Sequence, residues 1–414
     1  MKRTLTLLLL FLAGLAVHAQ VGIGTNAPVA GFHVLDSTVL FSTAGDVPAS
    51  PKSFPVSPAG RKMFWYPEKA AFRAGYVGSF GSTYWNTANI GNYSFAVGNN
   101  TRATGSTSFA AGLASSALAP ESVAFGNNGT ATGERSFAFN GTATGVGAVA
   151  IGSGAQATSD DAVALGPSSI ASGLASVTIG PSIARGSFAV AIGLQNSARG
   201  NFSTAIGKNA RVNHQGSMVL GDGAAGFSSD SVYSSANNQL TMRFVSGVRI
   251  FTAQNLSSGL EVAPGGGSWS SLSDRNKKEN FSPIDKEVLL GKVAALEITR
   301  WNYKTQPASQ QHIGPMAQDF HKAFGLDGPD NDKTINTVDI DGVNMVAIQA
   351  LEARTGKLQK ENQELKEQLA LLAERLMKLE TEKERSVKKK KKNRHSDSIE
   401  ITTALGPEVA KEEK

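Results

Sequence analysis

The chain of 414 residues has no cysteine, and only 18% of its residues are charged and 7% aromatic. Without cysteine there is neither a disulfide nor a lipid-modified N-terminal cysteine, so an exported chain must be held together by burial and assembly. Oligomerisation is the obvious route. Long apolar runs are scarce too: Leu5 to Val17 is shorter than the ~20 residues needed to span a bilayer, and no later stretch qualifies. That run follows Lys2 and Arg3 and ends among small or apolar residues at Val17 and Ala19, the layout of a cleavable secretory signal over 1–19. A mature chain beginning near Gln20 is expected, without a membrane-spanning segment, and secreted or displayed at the cell surface.

Charge of one sign is not widespread either. The formal net charge is +6, and much of the positive charge lies in Lys388 to Lys392 with Arg385 and Arg394 nearby. Such a run can contact nucleic acid or anionic membrane. Lacking apolar residues to bury, however, 384–414 reads as a disordered, solvated tail, and no nucleic-acid partner is expected.

Glycine, in contrast, is abundant, with 44 residues, and from Asn89 to Gly223 it recurs in register. The marker positions are Gly98, Gly112, Gly126, Asn140, Gly152, Gly166, Gly180, Gly193, Gly207 and Gly221, spaced by 14 except for one interval of 12 and one of 13. Each follows an apolar residue such as Val97, Phe125, Ile151, Leu165 or Ile206, with Ala111 the weakest. Half a period away stand Gly91, Gly105, Gly133, Gly145, Gly173, Gly186 and Gly200. Two short strands and two tight turns per unit fit this spacing. One unit cannot bury its apolar face alone. Stacked as coils about 4.8 Å apart, nine intervals give a rod of roughly 43 Å, and packing three such rolls together remedies a thin core.

Segments such as Asn89-Ile-Gly-Asn-Tyr-Ser-Phe-Ala-Val-Gly98 and Ser203-Thr-Ala-Ile-Gly207 resemble the head repeats of trimeric YadA-like adhesins. The resemblance implies a trimeric left-handed parallel β-roll over 89–223. Those adhesins end in a membrane-embedded β-barrel anchor, which has no counterpart in this sequence, so attachment is left open. A dinucleotide-like pattern at Gly145, Gly147 and Ala150 falls inside the periodic array and lacks the following long helix, so no cofactor is expected.

Ahead of the repeat, 20–88 reads as a β fibre segment and resembles the N-terminal part of bacterial tail-fibre-domain proteins. Its aromatic cluster Phe64, Trp65, Tyr66 fits either packing around a trimer axis or stacking on a glycan. After the repeat, 224–270 reads as a β connector, with Gln239 to Phe244 and Gly247 to Phe251 as strands and Pro264 to Gly267 as a joint.

From Trp269 onward there is more charge, less glycine and helical periodicity. The blocks Leu272-Ser-Asp-Arg-Asn-Lys-Lys-Glu-Asn280, Trp301-Asn-Tyr303, His312-Ile-Gly-Pro-Met-Ala-Gln-Asp319 and Asp339-Ile-Asp-Gly-Val343 resemble the intramolecular chaperone of endosialidase tailspikes, the serine peptidase family S-74. An α+β chaperone module over 271–365 is therefore expected. By that resemblance Ser273 and Lys278 form a dyad, the chain breaks between Ser273 and Asp274, and His312 supports the reaction.

A serine hydroxyl is a poor nucleophile until a base takes its proton, and a lysine serves only where burial favours its neutral form. Five residues apart, the two lie on different faces of a continuous helix, so a turn must separate them. Covalent tethering supplies an effective molarity of ~10⁵ M in place of substrate binding. Taken alone, Ser273 also fits an ordinary loop serine, and Lys277 and Lys278 a solvated pair. Asp327, Asp330, Asp332, Asp339 and Asp341 match no EF-hand spacing; Asp341 reads as a helix N-cap and no metal is expected.

A heptad closes the sequence over 348–383. Ile348, Thr355, Asn362, Leu369 and Leu376 occupy a, and Leu351, Leu358, Leu365, Leu372 and Leu379 occupy d, which predicts a trimeric coiled coil that gathers three chains before the slow β-roll folds.

The expectation is thus a mainly β, homotrimeric, adhesin-like fibre that carries its own assembly chaperone, with a surface glycan or protein as its ligand and no foreign substrate. Two other classes stay open. A polysaccharide-acting tailspike enzyme would need a carboxylate pair, and the repeat holds only 11 charged residues among 135. A self-released regulator would use the basic tail.

Overall fold

In the computed structural model, residues 20–53, 59–224, 226–326, 328 and 330–402 are described. The expected signal at 1–19 lies outside the described residues. The chain divides into two compact units, one comprising mainly the chain up to Val248 and the other mainly the chain from Trp269 onward.

The first unit is a β-solenoid. Its strands alternate between a 13-stranded and a 10-stranded sheet, so each coil contributes one strand to either side and pairs in parallel with the coils before and after it. Register follows the repeat: Phe95, Ala96 and Val97 lie beside Phe109, Ala110 and Ala111, and Phe137, Ala138 and Phe139 beside Val149, Ala150 and Ile151. Near the N terminus, β1 (Val21–Ile23) and β2 (Phe32–Val34) form a small parallel pair. An antiparallel hairpin, β3 (Gly60–Tyr66) and β4 (Ala71–Val77), then joins the first coil by pairing Phe72 to Phe95. At the other end Leu240–Arg243 pairs with Met218–Gly221, so the hairpin at one end and this strand at the other extend the solenoid, whereas β1 and β2 form a sheet of their own.

Alanine fills the inside. Ala96, Ala103, Ala110, Ala117, Ala124, Ala131 and their successors through Ala205 are fully buried, with Ser94, Ser108, Ser122 and Ser136 at the corners. Each of these corner serines donates to a backbone carbonyl three residues back, as Ser108 Oγ does to Gly105 O at 2.6 Å. The larger apolar residues point outward. One outer ladder runs Phe95, Phe109, Val123, Phe137, Val149, Val163, Val177, Val190, and its companion runs Phe125, Phe139, Ile151, Leu165, Ile179, Ile192, Ile206. A strand narrow enough to close a coil of about fourteen residues leaves room inside only for methyl groups, which is why size sorts the two faces.

The marker glycines meet a steric demand. Gly112 has φ +114°, and a Cβ there would lie 2.2 Å from the carbonyl oxygen of Gly126 in the next coil. Asn140, the one marker that is not glycine, takes φ +54° and offers its Oδ1 to the Asn127 amide at 2.6 Å, so its side chain takes part in the stack. At the opposite turn Thr107, Glu121, Arg135, Asp161, Ala175, Phe188 and Phe202 all hold positive φ. Ladder bonds such as Thr107 N to Asn92 O and Glu121 N to Ser106 O, both 2.8 Å, impose that conformation coil after coil.

In the second unit, α1 (Lys286–Ala295) starts at Asp285, whose Oδ1 accepts from the amides of Glu287 and Val288, and α2 (Ala317–Phe324) ends on Gly325 at φ +65°. The long helix α3 (Thr337–Thr402) packs its first turns on α1, burying Leu290, Ala347 and Ala350, and Arg354 Nε meets Glu287 Oε2 at 2.8 Å. Strands Thr299–Trp301 and His312–Gly314 make an antiparallel pair.

Two expectations need correction here. Asp341 is not an N-cap: α3 begins four residues earlier, and Asn336 Oδ1 accepts from Val338 N at 3.0 Å. Nor is 384–414 disordered from its start, because α3 continues through Lys388–Lys392 to Thr402. Lysine, arginine and glutamate lose little side-chain freedom in a helix, so helix propensity continues where apolar content ends. No helix among the described residues is long and apolar enough to cross a membrane.

Candidate functional site

Ser273 and Lys278 come together. Lys278 Nζ lies 2.6 Å from Ser273 Oγ, a hydrogen bond between two exposed side chains five residues apart. A single 3₁₀ turn, Arg275–Lys277, makes the contact possible. It closes with Lys277 N on Asp274 O at 3.1 Å and Lys278 N on Arg275 O at 3.2 Å, and then releases Lys278 into extended geometry at φ −122°, ψ 153°. The turn demanded by the spacing is therefore present, and it folds the chain so that the amine reaches back over the four intervening residues.

Asp274 starts the turn. Its Oδ1 accepts from Asn276 N at 2.9 Å and from Asn276 Nδ2 at 3.1 Å. At the far end the Arg275 guanidinium sits 5.0 Å from the centre of the Phe281 ring, and Asn280 takes φ +57°. Every one of these contacts lies between residues 273 and 281. Sequence reasoning marked Asp274 only as the residue after the break. An Asp directly before a 3₁₀ or helical turn is the signal that would have shown its capping role.

His312 is held elsewhere. Its Nε2 lies 3.1 Å from Gln306 Oε1, and its ring packs against Trp301 and Tyr303 at centroid distances of 4.8 and 5.9 Å. The structure thus joins Ser273 to Lys278 and ties His312 to an aromatic cluster, with no hydrogen bond from His312 to either member of the pair.

The other candidate surfaces separate on inspection. Tyr66 is buried, Phe64 packs edge-on against Trp85 at 6.0 Å, and Trp65 is 38% exposed, so the three aromatics do not form one platform. A cavity of about 710 Å³ beside Trp65 is walled by Val39, Leu40, Phe41, Met63 and Phe72, an apolar lining that suits packing better than hydrogen-bonded sugar recognition. Asp327 lies outside the described residues; among the described ones, no three His, Cys, Asp or Glu side chains gather closely enough to hold a metal ion.

Family comparisons agree with this division. Segments between residues 103 and 210 match the YadA head domain repeat, and residues 273–328 match the chaperone of endosialidase, Peptidase S74. The chain accordingly carries YadA head repeats followed by an endosialidase-type chaperone domain, the architecture of a tail-fibre or adhesin-like protein. Ser273 is the first residue of the chaperone match, and the Ser273–Lys278 pair falls wholly inside it. The chain matches no individual curated protein.

Proposed function

We propose that the chain is an exported, homotrimeric, adhesin-like fibre whose C-terminal domain directs assembly and then releases itself by cutting between Ser273 and Asp274. The observation that carries the second half is the 2.6 Å contact between Lys278 Nζ and Ser273 Oγ at the start of the chaperone match. Support for the first half comes from the outer ladders of the solenoid and from α3. Phe139, Ile151 and Ile179 are 38–44% exposed, and Leu351, Leu358, Leu365, Leu369, Leu372, Leu376 and Leu379 all lie exposed along the helix. Continuous apolar stripes of this length call for a partner, and three copies in the same register supply one for both.

The chemistry is a hydrolysis. Neutral Lys278 takes the hydroxyl proton of Ser273; the Ser273–Asp274 amide opens with net addition of one water, giving a carboxyl on Ser273 and an amine on Asp274, which receives the proton. Ser273 Oγ and its own carbonyl carbon are so close in the chain that direct closure would make a four-membered ring. The activated oxygen instead draws the proton from a water that adds to the carbonyl. Both side chains are exposed in the single chain, and burial is what favours a neutral amine, so on this reading assembly must cover the pair before the bond opens. Cleavage then reports a completed trimer, and loss of the chaperone leaves a fibre that unfolds irreversibly.

Intact-mass measurement tests it. Purified protein should consist of two chains, Gln20–Ser273 and Asp274–Lys414, with no protease added. Ser273→Ala and Lys278→Ala should each give an uncut chain that still forms trimers, and wild type should not cut the alanine variant on mixing. Uncut wild type after complete assembly, or an S273A chain broken at the same bond, would refute the assignment. Light scattering that returns a monomer for residues 20–414 would refute the trimer.

A further inference from the structure

We infer that the side chain of Asp274 is a positioning residue for the break at its own amide: it builds the turn that delivers Lys278 to Ser273. The inference rests on the self-cleavage proposed above. The turn has little else to define it. Arg275–Lys277 buries no residue, and among the described residues no hydrogen bond reaches 273–278 from outside that segment; the nearest is Leu272 N to Gly259 O, just before it. Within the segment, Asp274 Oδ1 takes both the amide and the side-chain NH₂ of Asn276, which fixes the direction of the chain two residues before Lys278. The backbone bonds that follow, Lys277 N to Asp274 O and Lys278 N to Arg275 O, close only when that first bend is made. Without the cap, the segment is free to extend, and five residues of extended chain would carry the amine well over 10 Å from the hydroxyl.

The carboxylate acts here as a hydrogen-bond acceptor, not as a proton carrier. Its Oδ1 is engaged by Asn276, so the same work is open to any side chain with an acceptor oxygen at the same reach. Asparagine is as good a cap as aspartate, whereas alanine has no acceptor. Capping also survives the reaction: once the amide opens, Asp274 becomes the first residue of the released fragment and keeps its contacts to Asn276.

The test compares the rate of self-cleavage in full-length wild type, Asp274→Ala and Asp274→Asn, read by intact mass against time after refolding. Trimer content and helicity are measured on each to show that all three assemble. Loss of a cap shifts the population of the competent turn by about fivefold, so D274A should cut about five times more slowly. D274N should stay within about twofold of wild type, with an unchanged pH dependence of the rate. Four outcomes decide between the ideas. Slow D274A with near-normal D274N supports the inference. D274A as fast as wild type overturns it and leaves self-cleavage standing. D274N as slow as D274A, or with a displaced pH profile, overturns it in favour of a role for the charge or a proton on Asp274. An assembled wild type that stays whole overturns both this inference and the self-cleavage beneath it.

Discussion

The solenoid and the Ser273–Lys278 turn place their side chains by opposite means. In the solenoid every residue of a coil is fixed by a neighbour about fourteen residues earlier and another about fourteen later, so that even Glu121 and Arg135 are held at positive φ by the ladder around them. At the Ser273–Lys278 turn the contacts that set the geometry, among the described residues, lie within 273–281. The first arrangement is rigid because it repeats; the second is easily lost and easily regained. A fibre body and the proposed self-cleavage site would need those respective properties, and substitutions should spread their effects accordingly.

The largest effect is expected at a marker glycine. Gly112→Val would place a side chain against the Gly126 carbonyl, at a φ of +114° that a β-branched residue does not adopt. Neither neighbour can retreat, because each is paired onward. A loss of ~3 kcal/mol or more and a fall of roughly 10 °C or more in the unfolding temperature are expected, measured by thermal unfolding followed by circular dichroism. A G112V protein as stable as wild type would mean that coils adjust independently, and the contrast between the two regions would fail.

Next in size is the outer stripe. Ile151→Asp with Ile179→Asp leaves the alanine interior untouched, since Ala150 and Thr178 carry the inward face at those strands. The β signal should persist while light scattering shows the solenoid unit dissociating, because two desolvated carboxylates per chain would face the partner copies. Retention of the trimer would remove the stripes from the interface.

That inside and outside differ in this way was only half legible. The period, the marker glycines and the order of the chaperone blocks could be read directly, as could the need for a turn between Ser273 and Lys278. Alternation separates Ala96 from Phe95 and Val97 but does not say which face is enclosed. The width of the coil decides that, and width depends on turn geometry that composition leaves open. Asn336 and Asp341 fit the same capping rule, and only the position at which α3 starts tells them apart. The basic run lacks apolar residues to bury and so reads as unstructured, although its residue types favour helix. Arg73 gave no sign of itself beyond its parity with Ala71 in β4.

Arg73 sits inside the first coil at the level where later coils carry alanine, fully buried and paired in register with Ala96. Its guanidinium donates to Phe72 O, Ser94 O, Ser94 Oγ and Ala103 O at 2.8–3.0 Å, plugging the open end of the solenoid with hydrogen bonds and no carboxylate. Burial pushes its pKa down to about 10, so it remains charged at neutral pH. Arg73→Met should destabilise by about 2 kcal/mol, because several carbonyls lose their donor. The sign with pH is opposite to that of a salt bridge. From about pH 10 up to the ordinary, higher range of an arginine the unfolded chain binds the proton more tightly, so wild-type stability relative to R73M should rise with pH there and stay level from 5 to 9. Paired unfolding curves of the two proteins would show it, and a relative stability that fell above pH 10 would contradict the burial argument.

The smallest effect reverses the sign of the glycine argument. Gly356 lies inside α3, exposed, at a position directly after Thr355 and therefore off the a and d seam, and a Cβ there would meet nothing within 4 Å. It has none of the constraints that hold Gly112: no positive φ, no facing carbonyl and no coil to close. Its only consequence is the extra backbone freedom it gives the unfolded chain, which alanine removes. Gly356→Ala should therefore stabilise the helix by about 0.5–1 kcal/mol and raise the unfolding temperature of the chaperone unit slightly, with trimer content and cleavage rate unchanged. If alanine at 356 instead lowered stability, the outer face of α3 would be packed against something the single chain does not show, and the coiled-coil seam would have to be redrawn to include it.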